Sequence, residues 1–302
     1  MTALPILSSQ DGPRITINDW LKAPTRVPAY VLDLMKQGFL VDAILRTEGN
    51  CPAGVVRFEE SSPIYGDSVI EDREEFGEVP VGRFSLGQPN VAYSRDKSQA
   101  VAISDEMRDR NNVDALARRI VQVENTMIRT WDDLFVGITL AHPSVQTFAA
   151  ASHWNTANYD IRADILSCVK LIDTVTDPQG SEFGFQCDTL IVSKATKYDL
   201  LRSEYFNREY FGGNIADENL RYTGKLPNQI MGLDVLVSPR VPIGKAIFLQ
   251  RKVAGFISDE KALSGTALYR DEPRKMWRSD FQRKAAIGLD QPRAIVVASN
   301  VA

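Results

Sequence analysis

Histidine is almost missing from this chain: His142 and His153 are the only two in 302 residues. A lone histidine has no built-in acid–base partner, so neither marks a general acid or base by itself. His142 precedes Pro143 at the expected end of a long helix, where a cation suits the helix dipole, and both histidines read as structural. Cysteine is scarce as well, with Cys51, Cys168 and Cys187 widely spaced and no Cys-x-x-Cys. That argues against a disulfide framework or a zinc cluster. It fits a reducing compartment such as a cytoplasm. No apolar run approaches the roughly 18 residues of a membrane span. The opening residues have no basic flank before a hydrophobic stretch, so no secretory signal is expected. Strong charge of one sign is absent too. The net charge is −4, so the chain as a whole does not attract nucleic acid, and any DNA contact would be local.

Catalytic motifs are equally sparse. Gly82-Arg83-Phe84-Ser85-Leu86-Gly87 has one residue too many for a nucleophile elbow and does not sit between strand and helix. Gly224-Lys225 is followed by Leu226, and no glycine stands five residues before Gly224, so the phosphate-loop pattern fails. No Gly-x-Gly-x-x-Gly occurs. The adjacent acids Asp132-Asp133 and Glu74-Glu75 read as solvated charge, because neighbours on a helix point in different directions. Cys168 falls on an apolar helical face and reads as core. No catalytic site, cofactor or metal is expected.

What is present is a telling order of segments. Residues 1–27, broken by Pro5, Gly12, Pro13 and Pro24, read as an extended arm, with Trp20 as its anchor. Pro28–Gln37 reads as a short helix ended by Gly38, and Phe39–Leu45 and Gly54–Phe58 as strands. Between Glu59 and Glu78 there are eight acids (Glu59, Glu60, Asp67, Glu71, Asp72, Glu74, Glu75, Glu78) and one base, Arg73. Turn formers recur through Pro89. Such a stretch buries little core and is expected to be a long hairpin with a mobile tip. Folded back on itself over 66–97, it would reach about 50 Å, farther than a loop needs to cover its own domain.

Ser104-Asp105-Glu106 is a helix-start signal. From Asn112 to Leu140, apolar residues recur at three- and four-residue steps: Val113, Leu116, Ala117, Ile120, Val123, Met127, Trp131, Leu134, Phe135, Ile138. That helix would be about 43 Å long, a spine rather than one packing element among equals. A second helix carries Ile161, Ile165, Cys168, Val169 and Ile172 on one face, and another spans Lys197–Tyr205. Cys187–Ser193, Ile230–Ser238, Lys245–Leu249, Lys275–Ile287 and Ala294–Ser299 read as strands, and 206–228 as a polar loop. The pattern is α+β rather than alternating βαβ. From Arg240 to Arg293 there are twelve bases and six acids, a balance of +6. An acidic arm near residue 70 and a basic region near 275 would steer one copy onto the next. Alternatively they are solvated faces, or they pair within one subunit.

The chain resembles the major capsid proteins of tailed bacteriophages, the Hong Kong 97-type fold, and is similar to encapsulin shells of the same fold. The resemblance runs from about residue 28 to the C-terminus. Phe58–Tyr65 with Glu75–Val81 resembles the entry to that family's extended loop. Ala102–Glu106 resembles the loop exit before the spine helix. Cys187–Ser193, Met231–Ser238 and Pro292–Ile295 resemble strands of the axial and late regions. The resemblance implies a peripheral domain from 28–58, 98–150 and 262–285, an extended loop from 59–97, and an axial domain from 151–261 and 286–302. It implies hexamers and pentamers tiling an icosahedral shell around double-stranded DNA, assembled in a host bacterial cytoplasm. The loop acids Glu59 to Glu78 would contact a neighbour, with Arg270, Arg274, Lys275 and Arg278 as the basic partner. Lys97 is the one lysine from 59 to 97, which argues against the Lys–Asn weld of some members. Only about 27 residues precede the first expected helix, so a separate scaffolding protein is expected, with a portal and a decoration protein as further partners. An encapsulin-type compartment is the alternative, and an α+β enzyme the third reading.

Overall fold

The computed structural model describes residues 17, 25–36, 38–63, 65–66, 70, 72–73, 75–79, 81–82, 86–110, 113–156, 159–177, 180–202 and 229–302. The expected polar loop at 206–228 and all of the N-terminal arm except Ile17 and 25–27 lie outside these residues. In chain order the elements are α1 (Arg26–Lys36), α2 (Leu40–Ile44), β1 (Arg46–Glu48), β2 (Val55–Glu60), β3 (Gln88–Tyr93), β4 (Arg95–Ser104), α3 (Asp105–Asp109) and α4 (Val113–Ala141). Then come β5 (Gln146–Ala149), α5 (Ile161–Asp173), β6 (Thr189–Val192), α6 (Lys194–Arg202), β7 (Gln229–Ile230) and β8 (Leu233–Val237). The chain ends with β9 (Lys245–Leu249), β10 (Phe256–Gly265), β11 (Tyr269–Asp271), β12 (Met276–Gly288) and β13 (Ile295–Ser299).

The 29-residue helix α4 is the spine that its periodicity requires. Leu116, Ile120, Val123, Met127, Trp131 and Phe135 are buried at three- and four-residue steps, the spacing that keeps side chains on one face. Ala117, expected on that face, is exposed. Ser104 starts α3 as expected, its hydroxyl accepting from the Met107 N–H at 3.3 Å.

The spine packs against β4, in a sheet ordered β1-β10-β12-β11 with β4 also on β12. One side of β12 pairs antiparallel with β10 and β11 in turn, and its other side pairs with β4 from Met276↔Ser104 to Ala285↔Arg95. A second sheet has the order β5-β13-β9-β6-β8-β7. Its strands β6 and β13 are apolar and nearly continuously buried, as strands covered on both faces must be. β2 and β3 form a separate antiparallel hairpin, Val55↔Tyr93 to Glu60↔Gln88. It is the root from which the acidic stretch leaves.

Two local readings change. Phe39–Leu45 is not a strand: Leu40–Ile44 is helical. The Asp132 carboxylate on the spine accepts from the Leu40 N–H at 3.2 Å, an N-terminal cap supplied from far along the chain. The polar stretch after the acidic arm is strand β4, which alternation alone does not reveal. The sheets also run across the expected domain boundaries, with β5 inside the six-stranded sheet and β10 continuing through residues 261 and 262.

Candidate assembly surfaces

The root of the acidic loop is a tightly packed joint. Glu60 ends β2 and is 8% exposed. Its Oε2 lies 3.6 Å from Nε2 of His142 and 3.5 Å from the Asn90 amide. The other His142 nitrogen, Nδ1, accepts from the Ser144 N–H, which fixes Nε2 as the protonated nitrogen facing Glu60. His142 follows the spine helix as expected, and its carboxylate partner is an addition that spacing did not reveal. Next to Glu60, Ser61 adopts φ +54 and donates to the Asp290 carbonyl at 2.8 Å. On the returning limb, a Cβ at Gly87 would stand 2.4 Å from the Glu60 carbonyl oxygen. Phe58 packs edge-on against Phe256, with centroids 5.2 Å apart. The loop therefore leaves from a fixed base.

Beyond that base, large apolar side chains face solvent. Ile70 is 98% exposed, Phe76 95% and Val81 94%. Exposed apolar side chains on one acidic segment make it a candidate interaction surface. Glu59, Asp72, Glu75 and Glu78 are exposed alongside them. Asp67, Glu71, Glu74 and the arm anchor Trp20 lie outside the described residues.

The basic partner set divides in two. Arg270 grips the Asp105 carboxylate with both terminal nitrogens, one at 2.6 Å, and its Nε donates to Glu272 at 3.1 Å. It also stacks 5.6 Å above the Trp277 ring. The guanidinium holds the Asp105 carboxyl below the usual carboxylate range. Arg278 binds Asp280 at 2.5 Å. Arg270 and Arg278 thus pair within their own chain, and Glu60 turns inward, so these three are not displayed as the sequence led one to expect. Arg274 and Lys275 stay exposed at the turn before β12, with Lys275 at φ +47.

Two buried polar centres escaped sequence reasoning. Arg283 is 4% exposed. It binds Asp42 at 2.8 and 3.0 Å and Asp259 at 3.0 Å, between the rings of Phe39 and Trp131. Its alternating place in β12 looks like an ordinary surface arginine. Asp132 is 6% exposed. Burial pushes its carboxyl up to about 6 against the pull of the Leu40 and Val41 N–H groups, with Asp133 and Asp42 adding to the rise. Burial likewise pushes the Cys168 and Cys187 thiols up to about 12, which leaves them unreactive near neutrality. Among the described residues, no group of three or more His, Cys, Asp and Glu is placed to hold a metal ion. No helix among them is long and apolar enough to cross a membrane.

Residues 91–298 match the family described as phage capsid protein. The chain belongs to that family. It is a capsid shell subunit with the Hong Kong 97-like fold, a protein whose copies assemble into the shell of a virion. No curated protein matches it. Solved structures carry the same fold at low identity. The capsid protein of cyanophage P-SCSP1u has a TM-score of 0.62 and 14% identity, over 85% of this chain and 86% of that one. The virus-like particle protein of Pyrococcus furiosus has a TM-score of 0.59 and 11% identity, over 91% and 98%. The SrpI encapsulin of Synechococcus elongatus has a TM-score of 0.53 and 12% identity, over 87% and 86%.

Proposed function

We propose that this capsid protein forms hexamers and pentamers that tile an icosahedral shell around double-stranded DNA. The observation that carries the reading is the acidic loop: its apolar residues Ile70, Phe76 and Val81 are almost fully exposed, while its root is locked in place. A segment that leaves its described large apolar side chains in water is built to bury them on a neighbour. In this reading the extended loop 59–97 stays rooted at home through β2, β3 and the start of β4, its stretch between those strands crosses to the next subunit, and Arg274 and Lys275 are the exposed bases that receive its acids. Residues 28–58, 98–150 and 262–285 supply most of the peripheral domain, and 151–261 and 286–302 most of the axial one, with β5 going to the axial sheet and β10 to the peripheral sheet. The arm 1–27, with Trp20, reaches a neighbour. A separate scaffolding protein and a portal serve assembly in the host cytoplasm, and a decoration protein reinforces the shell.

Each pairwise contact need only be worth roughly −4 to −8 kcal/mol, the millimolar to micromolar range. Weak contacts let misplaced subunits leave, and the closed shell holds because each subunit makes several at once. A second reading, an encapsulin-type compartment, is favoured by the encapsulin among the similar folds. The contents of particles isolated from producing cells separate the two. Nuclease-protected double-stranded DNA supports the virion capsid. A protein cargo in particles free of DNA would replace it with the compartment.

A further inference from the structure

Phe76 is an unusual side chain to leave in water. It is 95% exposed and its φ is +66, a region that bulky L-residues avoid. The Arg73 guanidinium donates to the Gly77 carbonyl at 3.0 Å, bridging the turn that carries it. A strained conformation held in place this way points toward a role.

A cavity of about 200 Å³ lies between the β2–β3 root, the later half of α4 and the end of β12. Buried Ile287 and Leu289, with Phe58, Leu134 and Ile138, give it an apolar part, and Asn90 and His142 of the Glu60 joint a polar one. An apolar cavity of about 150 Å³ holds a benzene-sized ring. Arg95 is exposed at the mouth, and Lys97 follows on the same strand. Among the described residues neither has an ion-pair partner. A larger cleft, about 510 Å³, lies between α2, α4 and the end of β8 with the residues after it. Its two arginines, Arg129 and Arg240, already share Asp133, so it offers an acidic visitor less spare positive charge.

We infer that the smaller cavity is the socket for Phe76 of a second copy of this chain, so that each loop tip seats at the root of the next loop. The inference rests on the shell-subunit reading and names the contact that reading leaves open. Ring fits cavity by size, and Glu75 and Glu78 beside Phe76 meet the unpaired Arg95 and Lys97. A tip that seats at the root of the next copy uses two different surfaces, which makes the contact head-to-tail. Contacts of that kind close into rings when the rotation from copy to copy closes, as the hexamers and pentamers proposed above require.

Cysteine trapping in assembled particles of the full chain tests it. Tyr93 lines the socket and is 69% exposed, while Val237 lines the larger cleft and is 39% exposed. Under mild oxidation the double variant Phe76→Cys/Tyr93→Cys should run as a covalent ladder of subunits on a non-reducing gel, and Phe76→Cys alone should not. Closed particles without the ladder, or a ladder with Phe76→Cys/Val237→Cys in its place, would overturn the socket and leave the shell reading intact. If the unsubstituted chain forms no closed particles even with its scaffold, the shell reading fails and the socket falls with it. As a second measurement, Phe76→Ala should raise the subunit concentration needed for assembly roughly tenfold or more, with the thermal midpoint of the free subunit unchanged. An unchanged assembly concentration would count against the socket.

Discussion

Replacing Asp132 with asparagine should make the isolated subunit more stable at neutral pH, although it removes a charge that caps a helix. The ordinary aspartate value of 3.8 rises to about 6 here. Between those two pH values the folded chain keeps a proton that the unfolded chain has released. Raising the pH through that window therefore removes stability from the wild type, by about 3 kcal/mol at 1.36 kcal/mol per pH unit. Asparagine stays neutral throughout, and its Oδ1 can still accept from Leu40. The variant should thus be about 1–3 kcal/mol more stable than wild type at pH 7, the lower figure allowing for an amide group left without a partner. The advantage should vanish near pH 4. Urea denaturation of dissociated subunits at pH 4, 5, 6 and 7 reads this directly. Burial also raises Asp290 and Glu124, but those groups are present in both proteins and cancel in the difference. A difference that stays flat within about 0.5 kcal/mol from pH 4 to 7 would refute the reasoning.

Three further outcomes follow from the same structure. Arg283→Ala empties a buried site between two rings and leaves the partly exposed Asp42 and Asp259 carboxylates without their shared partner, and should cost about 2–3 kcal/mol, seen as a thermal midpoint lowered by roughly 4–5 °C; a shift of under about 1 °C would show that the ion cluster is dispensable. Gly87→Ala forces a Cβ to within 2.4 Å of the Glu60 carbonyl and should cost about 1–3 kcal/mol, with faster proteolysis at the loop root; unchanged cleavage would mean that the joint yields without penalty. Exchanging Glu71, Glu74 and Glu75 together for lysine should block assembly while circular dichroism reports an unaltered subunit, and normal shells from that variant would remove charge steering from the account.

Much of this architecture is written in local pattern. The spine helix follows from its apolar steps, and β6 and β13 from unbroken apolar runs. Sequence fails where a distant residue decides. Leu40–Ile44 carries the branched residues Val41 and Ile44 and looks like a strand, yet a carboxylate from the spine caps it as a helix. β4 looks like a polar connector because only one of its faces is covered, and its partner β12 lies far along the chain. The assembly surface was legible in outline, through the acidic, turn-rich run. It was not legible residue by residue, because composition cannot tell a displayed base such as Arg274 from one already held, such as Arg270 on Asp105. The buried Arg283 cluster left no trace in spacing, since its acids come from α2 and β10.

The central claim is that copies of this chain build a closed shell through loops that cross between subunits. Electron microscopy of the purified protein, alone and co-expressed with its scaffolding protein, with reconstruction of any particles, tests it most directly. The account predicts closed shells in which subunits ring five- and six-fold axes and the density of the loop between β2 and β3 lies over the adjacent subunit. Small monodisperse particles under both conditions, or shells in which each loop folds back on its own subunit, would contradict it.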